Sequence, residues 1–321
     1  MNVLVKGAGV AGLSVAHELT SRGARVTVLD PQPGSHAAAS WFAGGMLAPY
    51  CERASAEQIV VELGVGAADW WEAALPGSVR CNGTLVLAPV RDARELERFG
   101  SRTSGFEWAD DDAIRTLEPD LAGRFRKGLF FEGEAHLDPR HVLIGLAAKL
   151  AEAGVAFETD PLRAATAGFD WTVQCTGYSR EDQTMRGVRG EMLILRTSDI
   201  SLSRPVRLVH PRFPIYVVPR ADHTFMVGAT MIESDSAGPV TVRSMMELLN
   251  AAYSLHPAFG EAEIVETGVG IRPAYPDNLP RVVREGKTTS INGLYRHGFL
   301  LAPAMAMQVA DMVLNERTAT R

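Results

Sequence analysis

The spacing of apolar residues changes several times along the chain, and each change marks a new element. Asn2-Val3-Leu4-Val5-Lys6 carries an unbroken apolar run, which predicts a short strand buried on both faces. From Val10 the apolar positions recur at helical spacing, and residues 24–29 then read as a second strand. Residues 57–75 read as a helix, 83–89 as a strand, 92–99 and 111–117 as surface helices, and 129–131 as a short strand. This stretch breaks the strand–helix alternation and predicts a second unit inserted into the first. After Asp138-Pro139-Arg140 the helical pattern returns, with Val142, Leu143, Leu146, Ala147 and Leu150 on one face, followed by strands at 155–157 and 171–175. A second excursion holds strands at 190–195 and 206–209 and a hairpin pairing 215–218 with 225–228 across Asp222-His223. A helix over 242–255 and a strand over 264–271 lead back to an apolar helix at 305–314. The pattern predicts one discontinuous unit from residues 1–55, 132–186 and 264–321, and a second from 56–131 and 187–263.

The first strand runs into Gly7-Ala8-Gly9-Val10-Ala11-Gly12, a G-x-G-x-x-G turn in the strand–turn–helix setting that gives it meaning. Gly7 suits the tight turn, Gly9 admits a pyrophosphate to the backbone amides, and Gly12 lets helix and strand pack closely. Asp30 ends the second strand eighteen residues past Gly12, where a ribose-binding carboxylate belongs. These features predict a dinucleotide site and leave NAD and FAD both open. The small residues that follow, through Ala39, Ser40, Gly44 and Gly45 to Met46, allow backbone to lie close to a large flat group.

The 321 residues, 46% of them hydrophobic, suffice for two domains. A net charge of −6 argues against binding to nucleic acid or to an anionic membrane. No targeting segment precedes the first strand, and the apolar runs fall short of the ~20 residues of a spanning helix. Cys51, Cys81 and Cys175 have no metal or redox spacing, which predicts a cytoplasmic protein whose cysteines are small core residues and which holds no metal.

Arg272 and Arg296 are the informative polar residues, since both are cations in apolar, glycine- and proline-rich surroundings. Such an arginine meets either a ligand carboxylate or an internal acid. Tyr216 lies in the antiparallel hairpin with its hydroxyl available to a ligand. His136, His210, His223 and His297 have no serine or cysteine elbow and no carboxylate at a recognisable spacing, so no hydrolase triad emerges.

In order and spacing these segments resemble the D-amino-acid oxidase family of FAD enzymes, and within it the glycine oxidases of thiamine biosynthesis. The resemblance is carried by the N-terminal glycine turn, Gly44-Gly45-Met46-Leu47-Ala48, Asp138-Pro139-Arg140, Cys175-Thr176-Gly177, Gly190-Glu191, Tyr216-Val-Val-Pro219-Arg220 and Val227-Gly-Ala-Thr-Met231. Gly270-Ile-Arg272-Pro273 and Tyr295-Arg296-His-Gly298-Phe-Leu-Leu-Ala-Pro303 complete it.

The resemblance implies an α/β Rossmann-like FAD-binding domain with an inserted α+β substrate domain built on an antiparallel sheet. It implies non-covalent FAD lined by Gly7, Gly9, Val10, Ala11, Gly12, Asp30, Ala39, Ser40, Gly44, Gly45, Met46, Gly177 and Arg272, with a backbone contact from Leu162 near the adenine. The loop Leu294, Tyr295, Arg296, His297, Gly298, Phe299 and Leu300 would close over the flavin. Arg272, Tyr216 and Arg296 would be catalytic and substrate-binding, with Met46 and Met231 walling a pocket for a small side chain. The implied reaction is hydride transfer from the Cα of glycine or a similar amine to FAD, giving an imine and hydrogen peroxide, with the imine feeding thiazole assembly. Sarcosine or D-amino-acid oxidation, a dehydrogenase, and a non-catalytic flavin-binding subunit are the alternatives. The partners expected are a small amino acid and dioxygen, with a homo-oligomer as a further candidate. Asp30 stands where glutamate is more usual in such enzymes, and His297 where asparagine is.

Overall fold

The computed structural model describes residues 1–32, 38–166, 168–180 and 182–319. Two large sheets organise the chain. In the first, the strands run in the order Arg281–Glu285, Thr288–Asn292, Trp171–Gln174, Asn2–Lys6, Arg25–Leu29, Ala156–Glu158, all parallel except the Arg281–Glu285 edge. Val3, Val5, Val26, Val28 and Val173 fill its core together with residues of the helices Val10–Ser21, Pro139–Glu152 and Gly298–Ala319. The unbroken Val3-Leu4-Val5 run follows from burial on both faces, since Leu4 points the other way and packs with Leu29, Ala164 and Phe169.

The glycine turn is as tight as its sequence implies. Gly7 has φ +102°, and a Cβ on Gly12 would lie 1.8 Å from the Gly7 carbonyl oxygen. No side chain fits there, so the Val10–Ser21 helix starts directly against the end of the first strand.

The second sheet is largely antiparallel and has nine strands, among them Thr84–Leu87, Val206–Leu208, Ile215–Pro219 and Thr224–Gly228. The predicted hairpin forms, with Tyr216 opposite Gly228. The strand expected to lead back to the first unit behaves differently. Glu263–Ala274 pairs along its length with Arg186–Arg196, setting Arg272 opposite Val188 and Gly270 opposite Gly190. Two strands of 12 and 11 residues satisfy each other's backbone groups here, and the return to the first sheet is made instead by the hairpin 281–292, which the apolar pattern does not reveal. We propose two units whose last exchange falls after Ala274 rather than at 264.

Three further expectations are corrected. The helix read over 57–75 is two helices, Gln58–Gly64 and Ala67–Ala74. Cys81 is exposed, whereas Cys51 and Cys175 are buried. The final helix begins at Gly298, not 305, and its stretch Gly298–Asn315 is long and apolar enough to cross a membrane. Here Leu301, Ala306, Val309 and Val313 of that helix are fully buried, and it packs on Val10–Ser21. Its early start is explained by an unusual repair. Pro303 lacks the N–H that would bond the Phe299 carbonyl, and the buried Trp71 indole donates to that oxygen instead at 2.8 Å. Trp71→Phe leaves this carbonyl unpaired, so a loss of about 1–3 kcal/mol is expected in urea unfolding; an unchanged midpoint would show that the bond contributes nothing.

Candidate active site

A cleft of about 700 Å³ runs from the glycine turn between the two sheets. Gly7, Gly9, Val10, Ala11, Asp30, Ala39, Ser40, Gly177, Arg272, Leu294, Tyr295, Arg296, Gly298 and Phe299 line it. Gly9 caps the Val10–Ser21 helix with no side-chain cap and no acid in the first turn, so the helix N-terminus is kept for a bound anion. Asp30 accepts from the Ala8 amide at 2.7 Å and from the Gln32 amide at 2.9 Å, which fixes its carboxylate beside the turn. A helix N-terminus without an acid, whose Val10 amide meets only the neutral Ser40 hydroxyl at 3.4 Å, a fixed acid and room for an extended ligand fit a dinucleotide.

The cleft opens onto a second cavity of about 320 Å³, and Ala43, Arg272, Arg296, Gly298 and Phe299 line both. Gly44, Gly45, Met46, Tyr216, Met231, His297 and Leu300 line the second. Residues far apart in the chain that the sequence singled out therefore meet at one place. Gly12 lines neither cavity and acts by shaping the turn. Leu162 also lines neither. It is 77% exposed on the short Pro161–Thr166 helix, and its amide is taken by Asp160 at 2.9 Å.

Arg272 owes its position to a glycine. A Cβ at Gly190 would lie 2.2 Å from the Arg272 guanidinium, so the side chain lies across the neighbouring strand where only glycine leaves room. Arg272 Nη1 donates to the Thr230 carbonyl at 3.0 Å, and Thr230 is itself held by the buried Glu191, whose carboxylate accepts from its hydroxyl at 3.0 Å. Among the described residues Arg272 has no ion-pair partner, so the internal-acid alternative fails for it. Burial disfavours its charge, which leaves a cation in need of an anion. Tyr216 lies over Gly44, and burial raises its hydroxyl above the ordinary tyrosine value, so it stays a neutral donor.

Arg296 is paired internally. Its Nη2 lies 2.8 Å from Glu52 Oε2 and also bonds Ser55 Oγ, while Nη1 lies 3.5 Å from the sulfur of Met231, a half-exposed residue. Glu52 Oε1 accepts from Arg207, and His297 Nδ1 is 3.3 Å from Glu52 Oε2. His297 thus does have a carboxylate neighbour, one that no sequence spacing announces. Burial would raise the Glu52 carboxyl, but Arg296 and Arg207 outweigh it and hold the group well below the usual range. Burial pushes His297 down to about 4, aided by the guanidiniums of Arg296, Arg207 and Arg272 against the opposing pull of Glu52, so the imidazole is neutral at neutral pH.

Glu52 and Arg207 are the residues sequence reasoning missed. Glu52 ends the four-residue helix Pro49–Glu52 just after Met46, and Arg207 sits opposite Tyr216 in the sheet. The register of the hairpin would have put Arg207 beside Tyr216, had the strand 206–209 been paired with it.

The helix bearing Glu52 is anchored by Glu134, which accepts from the Cys51 amide at 2.7 Å. Burial raises the Glu134 carboxyl from 4.5 to about 6. A raised carboxyl favours the folded state below about pH 4.5 and loses that advantage as pH rises through about 6. Glu134→Gln should therefore gain roughly 2 kcal/mol at pH 8 and little at pH 4.5, read as a pH-dependent rise in Tm. A gain independent of pH would contradict the assignment.

Fold and joined cavities first define a class: a two-sheet protein whose dinucleotide cleft feeds a cavity with an anion-seeking arginine. The chain belongs to the FAD dependent oxidoreductase family, which matches residues 2–312. It is 61% identical to the thiamine biosynthesis oxidoreductase ThiO of Rhizobium etli over 99% of this chain and 98% of that one. It is 26% identical to a glycine oxidase of Bacillus licheniformis over 99% and 94%. The crystal structure of glycine oxidase from Geobacillus kaustophilus superposes with TM-score 0.80 at 24% identity, covering 98% of this chain and 94% of that chain. The protein is an FAD-dependent oxidoreductase, and the α/β fold with an antiparallel second sheet is that of the glycine oxidases.

Proposed function

We propose that the protein is an oxidase of glycine or a comparably small amino acid, producing an imine and hydrogen peroxide, with thiamine thiazole synthesis as the pathway it supplies. The observation that carries this reading is Arg272, a desolvated guanidinium without an ion-pair partner among the described residues, at the junction of the FAD cleft and the smaller cavity. A substrate carboxylate completes it with a charge-assisted, bidentate pair.

A carboxylate held there would place the substrate Cα near the FAD cleft, because Arg272 lines both cavities. When bound in the cleft, FAD would supply a two-electron acceptor for the Cα hydride, with dioxygen as the final acceptor. The chain's own residues mainly orient the substrate and exclude water. Tyr216 offers a neutral hydroxyl, unpaired among the described residues, and Met46 packs with Tyr216, Met192 and Met226 to narrow the cavity wall. No side chain is needed as a base, because an amine that has lost its proton to water drives hydride departure with its own lone pair. The nearness of three guanidiniums favours that uncharged amine.

The similarity to ThiO of Rhizobium etli supports the pathway assignment. The free cysteines among the described residues fit a reducing cytoplasm. FAD is expected to be non-covalent, so acid precipitation should release it; a yellow pellet would contradict this. Peroxide-coupled rates with glycine, sarcosine and D-alanine test the reaction. Peroxide with glycine at the highest kcat/KM is the expected result, and no peroxide with any of the three would overturn it.

A further inference from the structure

The smaller cavity is lined by three guanidiniums, Arg207, Arg272 and Arg296, and by a single carboxylate, Glu52. One substrate carboxylate satisfies Arg272. Glu52 is shared by the other two: Oε1 by Arg207, Oε2 by Arg296 at 2.8 Å. The sharing is incomplete, because Arg207 Nε and Arg296 Nε are buried without a hydrogen-bond partner among the described residues, and the contact of Arg296 with Glu52 Oε2 is an ion pair without hydrogen-bond geometry. His297, neutral beside them, adds no charge. Glu134 does not line the cavity. Without Glu52 the wall would present two guanidiniums with no acid of the cavity beside them, next to the one that binds substrate. Such a wall binds a second acidic group.

We propose that Glu52 is the specificity-determining residue of this cavity: its carboxylate fills the place between Arg207 and Arg296 that a second acidic group on a substrate would take, so the site selects small amines bearing one carboxylate. Arg207 is the positioning residue that pins Glu52 in that place. The amine part of this inference rests on the proposed oxidase reading, but the selection between one and two carboxylates does not. A diacid entering the wild-type cavity meets the Glu52 charge at short range and finds both guanidiniums already engaged.

The test uses FAD-loaded wild-type protein, Glu52→Gln and Glu52→Asp. Two ligands without an amine, acetate and malonate, are titrated by the perturbation they cause in the flavin spectrum, and kcat/KM is measured for glycine and for iminodiacetate. Wild type should bind acetate more tightly than malonate. Glu52→Gln should leave acetate within about threefold and tighten malonate by about tenfold or more, the effect of one added charge-assisted contact. It should raise the iminodiacetate-to-glycine ratio of kcat/KM by a similar factor, while Glu52→Asp keeps the wild-type order. Parallel changes for acetate and malonate would mean that Glu52 is only structural, and would overturn the proposal. A wild-type preference for malonate would overturn it too, even if Glu52→Gln did not fold. Should glycine and iminodiacetate both prove inert, the oxidase reading fails while the acetate–malonate comparison still decides the role of Glu52.

Discussion

Arg272→Ala should lower kcat/KM for glycine by about 10²- to 10⁴-fold, the 3–5 kcal/mol expected when one partner of a desolvated charge pair is removed. The protein should stay yellow, because the FAD cleft has many other walls and Arg272 stands at its far end. The folded state should not suffer either. Arg272 is bonded inside the protein only to the Thr230 carbonyl and has no ion-pair partner among the described residues, while its buried charge is itself costly. Tm at or slightly above wild type, with activity lost, is the expected combination, and Arg272→Lys should recover only part of the activity because a single ammonium cannot replace the fork. An active Arg272→Ala protein would remove the carboxylate clamp from the account.

Gly12→Val should abolish FAD binding. A Cβ at this position would lie 1.8 Å from the Gly7 carbonyl oxygen, so either the helix Val10–Ser21 or the turn must move, and the amides of the helix N-terminus move with it. The same shift disturbs the packing of that helix on Gly298–Ala319. The expected product is colourless and destabilised by about 3 kcal/mol, at the upper end for overpacked core sites. It is read by the flavin-to-protein absorbance ratio and by urea unfolding. Retention of stoichiometric FAD would show that the turn tolerates displacement.

Gly12 and Arg272 differ in how much of their role is legible in the sequence alone. The glycine turn is local: strand, glycines, helix and Asp30 lie within thirty residues, and local spacing determines what each does. The hairpin of Ile215–Pro219 with Thr224–Gly228 is legible for the same reason, since a short turn fixes its register. Arg272 stood out as a cation among apolar and glycine residues, but only the pairing of Glu263–Ala274 with Arg186–Arg196 explains why Gly190 must accompany it.

Glu52 and Arg207 were illegible because their meaning is relational. An acid at the end of a four-residue helix and an arginine on a three-residue strand look like surface residues until Arg296 is brought to them from the other end of the chain. The early start of the last helix is hidden in the same way, since Pro303 signals a boundary unless Trp71 is known to bond the Phe299 carbonyl. Long-range polar partners are the part that spacing along a chain cannot supply.

Bound FAD and Arg272 are together expected to make this chain an oxidase of a small amino acid. Anaerobic titration of the yellow protein with glycine tests it most directly. Bleaching of the flavin absorbance by glycine, followed on admission of air by its return with one hydrogen peroxide per flavin, is the predicted result. A flavin that stays oxidised with glycine, sarcosine and D-alanine alike would contradict the account.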